Sequence, residues 1–165
     1  MTENEKRVRA FYEATVPGHR EALRGLQSPH VVYDLPKGMP IGCGHFEGLQ
    51  DVLERFLTSF YGAFDVRFIA EEFIAAGEEV VALGRIEGKT RKAAVPIDVP
   101  FAHVWTVRDG HLQRLRAFTD TAVLAHAILM TEELIAALPL ASSPVLAEGG
   151  TVNSGFAERF AEVNG

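Results

Sequence analysis

The sequence predicts an α+β fold in which short helices precede a long, curved antiparallel sheet. Apolar residues recur at helical spacing in residues 3–15 and 49–61, and strand-like alternation dominates residues 64–119. A polar Asp109-Gly110 pair between two strand-like runs is a strong hairpin signal. A bent sheet wrapped around the first helix would leave a conical apolar pocket, and that shape favours a small hydrophobic ligand.

Four helical segments are indicated by their period and by their end signals. They are residues 3–15, about 19–26, 49–61, and a last segment from Asp120 or Thr121 to about Leu129. Pro17-Gly18 ends the first helix, and Thr131 could cap a further turn or two before Pro139. The first helix carries one apolar stripe, of which Tyr12 is the member with a polar tip.

The strands are expected at residues 30–35, 64–75, 79–89 and in the two arms of the hairpin within residues 97–121. The last four are long and are joined by turns, which indicates an antiparallel meander. Residues 36–48 contain several glycines and prolines and are expected to form a loop. Such a loop beside a pocket could act as a lid.

The first arm of the hairpin places one histidine among large apolar side chains. Strand side chains alternate between faces, so five odd-numbered residues share one face: Val99, Phe101, His103, Trp105 and Val107. In the second arm Leu115, Ala117 and Thr119 share a face, and Arg114 and Arg116 take the other. If this hairpin is the centre of the sheet, His103 faces the enclosed space.

Composition excludes several classes of protein. The chain is 47% hydrophobic and 23% charged, which is ordinary for a folded domain. Its formal net charge is −6 and it has no arginine-rich stripe, so no nucleic-acid partner is expected. The longest apolar run, Ala122–Met130, is too short to cross a bilayer, so no membrane partner is expected either. With a single cysteine, Cys43, and no apolar signal core, a cytoplasmic location is expected.

The expected organisation is one domain over residues 1–130 and an extension over residues 131–165. The extension differs in composition, with Ser-Ser-Pro and Gly-Gly segments that resemble linkers. It is expected to dock on the domain or on a partner subunit.

The order of these elements resembles the nuclear-transport-factor-two-like superfamily, whose fold is the cystatin-like α+β barrel. Three stretches carry the resemblance over about residues 3–129: His-Val-Trp-Thr-Val-Arg-Asp-Gly-His-Leu, Phe-Thr-Asp-Thr, and Phe-Glu-Gly-Leu-Gln-Asp-Val-Leu. The most similar members are the SnoaL-like polyketide cyclases and the ketosteroid isomerases. This scaffold hosts many chemistries, so the resemblance implies the fold more strongly than an activity.

The resemblance also implies four candidate catalytic groups. The isomerase pattern places a tyrosine in the first helix and a general-base aspartate after the first strand, which match Tyr12 and Asp34. Dehydratases of the superfamily use a histidine near the position of His103, where the isomerases have a carboxylic acid. SnoaL-like cyclases use an aspartate at the end of the last strand, which matches Asp120.

Each of these residues also has a plain structural interpretation. Asp34 could simply begin the Asp-Leu-Pro turn, and Tyr12 could be a core residue with its hydroxyl satisfied elsewhere. His103 could be a buried histidine bonded to one carbonyl. Asp120 is well placed to cap the last helix, and strict alternation directs it away from the pocket.

Four aromatic residues are expected to line the pocket as substrate contacts, with ordinary core packing as the alternative: Trp105, Phe101, Phe56 and Phe118. The six histidines show no paired spacing typical of a metal site, and no Cys-x-x-Cys occurs, so neither a metal nor a cofactor is expected. Cys43 and His45 lie two residues apart in the glycine-rich loop, which is weak support for a nucleophile and its base.

The sequence leaves two functions open. The first is a cofactor-independent enzyme that isomerises, cyclises or dehydrates a small hydrophobic carbonyl compound, polyketide-like or terpenoid-like. Asp34 would be the base, Tyr12 and His103 would be donors, and Asp120 would be an auxiliary acid or base. The second is a ligand-binding or dimerisation module without chemistry. A homodimer is expected in either case, with Val104 and Thr106 on the outer sheet face that would pack against a second copy.

Overall fold

A six-stranded sheet curves around the first helix in the computed structural model, which describes residues 1–15 and 20–137. The strands are β1 (Gln27–Leu35), β2 (Gly44–Glu47), β3 (Phe64–Ala76), β4 (Glu79–Thr90), β5 (Pro96–Arg108) and β6 (His111–Thr119). Their order across the sheet is β2-β1-β6-β5-β4-β3. The α+β prediction is therefore confirmed, with the central hairpin β5–β6 in the middle of the sheet.

The helices cover one side of this sheet. They are α1 (Glu3–Ala14), α2 (Arg20–Leu26), α3 (Leu49–Asp51), α4 (Thr58–Ala63) and α5 (Thr121–Ala137). A π-helical stretch, Val52–Leu57, joins α3 to α4, so the predicted helix over residues 49–61 is continuous but widened in its middle. Thr2 caps the start of helix α1, and its hydroxyl accepts a hydrogen bond from the backbone N–H of Glu5 at 3.1 Å.

Two features of the sheet differ from the sequence prediction. The sheet is mixed rather than wholly antiparallel, because β1 pairs in parallel with β6. The loop expected over residues 36–48 contains a short strand, β2, which pairs antiparallel with β1. Both pairings involve the first strand, and a parallel partner some eighty residues away leaves no local pattern in the sequence.

The backbones of β3 and β4 approach each other closely where the sheet bends. Gly84 on β4 lies opposite Ala70, where the register of β3 shifts by one residue. A Cβ atom at residue 84 would come within 2.0 Å of the Ile69 carbonyl oxygen, so only glycine fits there. A bulge of this kind increases local twist, which is consistent with a sheet that wraps around α1.

The hairpin and the final helix complete the domain. Asp109 and Gly110 both have positive φ, 50° and 70°, which is the backbone of the tight turn that this dipeptide predicts. Helix α5 runs through Thr131 without a break, so that residue does not cap a new segment. Its hydroxyl instead bonds to the Ala127 carbonyl and the Thr90 hydroxyl, both at 2.8 Å. The predicted helix end at Pro17-Gly18 and residues 138–165, with most of the expected extension, lie outside the described residues.

Candidate functional site

An apolar cavity lies between the concave face of the sheet and the helices. Its walls come from α1, the loop after β1, the π-helical stretch, α4 and strands β3 to β6. The described lining consists of Phe11, Thr15, Leu35, Pro36, Met39, Phe56, Leu57, Phe60, Tyr61, Phe68, Ile86, His103, Leu115, Ala117 and Thr119. This lining contains no Asp, Glu, Lys or Arg.

The cavity is tight. The space between its walls is about 540 Å³, a figure that includes open solvent at the mouth. The free volume inside is only about 50 Å³, below the range of about 300–1,000 Å³ found for ligand pockets. A small ligand suits such a space better than a bulky one.

His103 is the one imidazole in the described lining, and aromatic rings surround it. The ring stacks on Phe101 with centroids 4.2 Å apart, and the rings of Phe68 and Tyr12 lie at 5.8 and 6.0 Å. The side chain is 6% exposed. Its inward direction follows from the alternation along β5, whose odd-numbered residues from Ile97 to Val107 are all buried.

A hydrogen-bonded chain links His103 to helix α1. The Tyr12 hydroxyl lies 2.8 Å from Nδ1 of His103 and accepts a hydrogen bond from the indole N–H of Trp105 at 3.1 Å. Nε2 of His103 has no partner among the described residues, and no fully enclosed side-chain nitrogen or oxygen in that part of the chain lacks a partner. His103 belongs to the described cavity wall and its Nδ1 is engaged by Tyr12, so Nε2 is the ring nitrogen left to face the cavity.

Burial sets the protonation state of this pair. It lowers the pKa of His103 to about 3, so the imidazole is neutral at pH 7. Burial also raises the pKa of the Tyr12 phenol, although the hydrogen bond from Trp105 opposes this rise. The cavity thus presents a neutral imidazole edge rather than a charged one.

Asp34 does not reach this cavity, which corrects the expectation that it faces the pocket. It alternates with the buried Tyr33 and Leu35 and lies on the outer face of the sheet. Its carboxylate accepts hydrogen bonds from His45 at 2.8 Å and Arg114 at 2.7 Å. Partial burial alone would raise the pKa of Asp34, but the bonds from His45 and Arg114 and the Arg114 charge hold it below its ordinary value. Such a carboxylate is a weak base.

Asp120 occupies the position that its capping interpretation predicts. Its carboxylate accepts hydrogen bonds from the backbone N–H groups of Ala122 and Val123, at 3.1 and 3.3 Å, at the start of α5. It is exposed and is not part of the described lining. The structure therefore does not bring Asp34 or Asp120 to His103.

The four aromatic residues expected to contact substrate take different places. Phe56 lines the cavity. Trp105 is fully buried against Phe11, and Phe101 lies behind His103, so both support the wall without forming its described surface. Phe118 is 56% exposed on the outer face, because it alternates with the inward residues Ala117 and Thr119. Its placement in the pocket was wrong for that reason.

Several lining residues were not singled out from the sequence. Phe11 shares the predicted stripe of the first helix with Tyr12, and Phe60 follows Phe56 by one helical turn, so helical spacing could have identified both. Met39 comes from the loop after β1, where no periodic pattern exists. That loop forms part of the cavity wall, as a lid would.

Residues 1–15 and 20–137 contain neither a cluster suited to a metal ion nor a helix suited to a bilayer. No group of three or more His, Cys, Asp or Glu side chains in this part could hold a metal ion. None of its helices combines the length and apolar character needed to cross a bilayer.

Helices packed into the concave side of a curved sheet, with an apolar cavity between them, define a cystatin-like α+β fold. The sequence pattern of the SnoaL-like domain matches residues 8–115, and the chain belongs to that family. A search of curated proteins finds no significant match.

Solved structures show the same fold. An NTF2-like protein of unknown function from Burkholderia pseudomallei K96243 is 27% identical, with a TM-score of 0.72 over 78% of this chain and 98% of that one. TerC, co-crystallised with polyporic acid, is 26% identical, with a TM-score of 0.71 over 78% and 99%. A candidate SnoaL-like polyketide cyclase from Jannaschia sp. CCS1 is 20% identical, with a TM-score of 0.66 over 76% and 91%, and this likeness concerns the fold alone.

Proposed function

We propose that the protein is a cofactor-independent enzyme that promotes enolate chemistry on a small hydrophobic carbonyl compound. One observation carries the proposal: His103, whose Nδ1 is held by the Tyr12 hydroxyl, lines an apolar cavity that has no charged group in its described lining. A hydrogen bond to a carbonyl oxygen is stronger in such a space than in water, and it strengthens further as negative charge develops. Isomerisation, aldol-type cyclisation and dehydration all pass through this kind of oxygen anion.

In this proposal His103 is the group that touches the reacting oxygen. A neutral imidazole can act as the electrophile that polarises a carbonyl. Full transfer of a proton from the neutral ring would leave an imidazolate or, if the Tyr12 hydrogen moved to Nδ1, a phenolate. An apolar space disfavours both anions, and the raised pKa of Tyr12 opposes the phenolate. His103 therefore stabilises the enolate by hydrogen bonding rather than by protonating it.

The proton from carbon needs a separate acceptor. The sequence hypothesis assigned this role to Asp34, with Asp120 as an auxiliary acid or base, but both carboxylates lie away from the cavity. We therefore assign the described residues only the oxygen side of the reaction. Water, or a neutral basic group of the substrate itself, would take the proton from carbon.

A non-catalytic binding module is the second candidate. The same observation favours it: the described lining offers a donor but no carboxylate base. Structural similarity to TerC, whose structure contains polyporic acid, makes polyporic acid a reasonable binding probe for this chain.

Exchange of the α-protons of 1-indanone in D₂O, followed by proton NMR, separates the two candidates. The enzyme proposal expects the wild-type protein to accelerate exchange, and His103→Phe to lose about tenfold or more of that acceleration. Tyr61→Phe, which changes another lining residue, serves as the matched control. Binding of 1-indanone or polyporic acid without any faster exchange would contradict catalysis and leave the binding module.

We also propose that the protein is a homodimer that pairs through the outer face of its sheet. Cross-strand register aligns Leu83, Ala102 and Phe118 there, next to Val104. Phe118 is 56% exposed, and an exposed phenylalanine within an apolar row supports a protein contact at this face.

A further inference from the structure

The hydroxyl groups of the cavity wall are already engaged. Thr15 donates to the Tyr12 carbonyl at 2.7 Å, Thr119 donates to the Pro100 carbonyl at 2.9 Å, and Tyr61 donates to the Thr15 carbonyl at 3.4 Å. A hydroxyl carries only one hydrogen, so these three have none to offer a ligand. Among the described lining residues, the imidazole of His103 is therefore the remaining hydrogen-bond donor.

The hydrogen-bonded chain behind His103 decides which ring nitrogen carries that hydrogen. The Trp105 indole can only donate, so the Tyr12 oxygen must accept from it. If Nδ1 of His103 also donated to this oxygen, the Tyr12 hydrogen would have no acceptor among the described residues. A buried unsatisfied hydroxyl is unfavourable, whereas donation from Tyr12 to Nδ1 satisfies all three groups. Nε2 then carries the hydrogen of the neutral ring.

Charge in the wall gives a second constraint on the ligand. The described lining has no ionised side chain, and the imidazole is neutral at pH 7. A carboxylate that entered this space would lose its hydration without gaining an opposite charge. A hydrocarbon would leave the Nε2 hydrogen without a partner in the filled cavity.

We propose that Tyr12 fixes His103 as a hydrogen-bond donor, and that the cavity thereby selects neutral ligands with an acceptor oxygen, such as ketones and aldehydes. Hydrocarbons of the same shape and carboxylates are disfavoured. Tyr12 is a positioning residue, because it acts on the ligand only through His103. This inference rests on the proposed function because it concerns the same cavity. It adds the chemical property by which the cavity discriminates between ligands.

The tautomer is tested first, by correlation of the His103 ring nitrogens with their attached protons in ¹⁵N NMR at pH 7. The expected spectrum shows one tautomer with the hydrogen on Nε2. Tyr12→Phe removes the donor to Nδ1 and should give a mixture of tautomers, whereas Tyr61→Phe should leave the spectrum unchanged. Hydrogen on Nδ1 in the wild-type protein, or an identical spectrum in Tyr12→Phe, would overturn the proposal.

Ligand selection is tested with three probes of one shape: 1-indanone, indane and indane-1-carboxylate. Titration of the wild-type protein should show 1-indanone binding about tenfold more tightly than indane, as expected for one added hydrogen bond. The carboxylate should bind more weakly than either. In His103→Phe the ratio between 1-indanone and indane should fall to about one. Equal affinity of the ketone and the hydrocarbon for the wild-type protein would refute the selection.

These outcomes separate this inference from the proposed function. Ketone selection and the Nε2 tautomer without faster α-proton exchange would uphold the inference and reject catalysis. Faster exchange together with hydrogen on Nδ1 would uphold catalysis and reject the inference. Failure of all three probes to bind would reject both.

Discussion

The hydroxyl of Tyr12 and Nδ1 of His103 lie 2.8 Å apart, although the two residues are 91 positions apart in the sequence. Helix α1 places the tyrosine inside the curve of the sheet, and alternation along β5 turns the histidine toward it. Trp105, two residues further along the same strand, completes the chain of hydrogen bonds. This pairing connects the first helix to the wall of the cavity.

Burial of a neutral His103 should make folding sensitive to mild acid. Its folded pKa, about 3, is below the unfolded value near 6.5, so the unfolded chain binds the extra proton. The stability that the neutral imidazole contributes is fully present above about pH 6.5, and it is lost as the pH falls from there toward about 3. The loss should approach about 1.4 kcal/mol for each pH unit below about 6. Urea unfolding at pH 7, 6 and 5 measures it.

His103→Gln is the control for this pH dependence, because glutamine does not titrate. The other histidines and the carboxylates are common to both proteins, so their contributions cancel in the difference. An equal slope in the wild-type protein and in His103→Gln would show that the wild-type slope does not come from His103.

Removal of the Tyr12 hydroxyl should destabilise the protein more than removal of the Tyr61 hydroxyl. Tyr12→Phe takes a partner from both Nδ1 of His103 and the Trp105 indole, which should cost about 1–3 kcal/mol. Tyr61 makes a single long bond of 3.4 Å, so Tyr61→Phe should change stability by about 0.5 kcal/mol or less. Urea denaturation of the two variants gives the comparison, and equal losses would contradict a special role for the Tyr12 hydroxyl.

Replacement of Asp34 should leave the chemistry of the cavity intact. Asp34→Asn removes the charge that pairs with Arg114 on the outer face, but it changes nothing in the described lining. The exchange rate of 1-indanone should change by less than about twofold. Loss of exchange comparable to that in His103→Phe would restore Asp34 to the role of base that the sequence suggested.

Asp120 can be tested as a helix cap with two substitutions. Asp120→Ala should cost about 1 kcal/mol of stability because the N–H groups of Ala122 and Val123 lose their acceptor. Asp120→Asn keeps an oxygen in place and should be close to the wild-type protein in both stability and exchange rate. An acid or base at this position would behave differently, since Asp120→Asn would then lose activity at unchanged stability.

The local sequence pattern predicted which face a single side chain lies on better than it predicted which residues that side chain contacts. Alternation along β5 was sufficient to turn His103 inward, and the same rule applied to β6 would have turned Phe118 outward. The Asp34 environment depends instead on Arg114, which reaches it only because β1 and β6 pair in parallel. No sequence period encodes that pairing, so the sequence could nominate Asp34 as a base but could not show that an arginine lies beside it.

The hydrogen-bonded chain behind His103 shows the same limit. Helical spacing identified Tyr12 as the polar member of the first stripe, and strand alternation put Trp105 on the face of His103. Their meeting depends on where α1 crosses the sheet, which is set by packing between distant elements. Sequence reasoning therefore placed Tyr12, His103 and Trp105 on inward faces, and the fold decided that these three touch.

The homodimer proposal gives a final test, on the outer face of the sheet. Light scattering at micromolar concentration should show a particle of twice the 18.0 kDa chain mass. Phe118→Lys should shift it to the monomer, because a lysine there would lie within the apolar row formed with Leu83 and Ala102. Leu129→Lys is the matched control, since Leu129 is equally exposed, at 57%, but lies on α5. A wild-type monomer, or a Phe118→Lys dimer, would contradict pairing through this face.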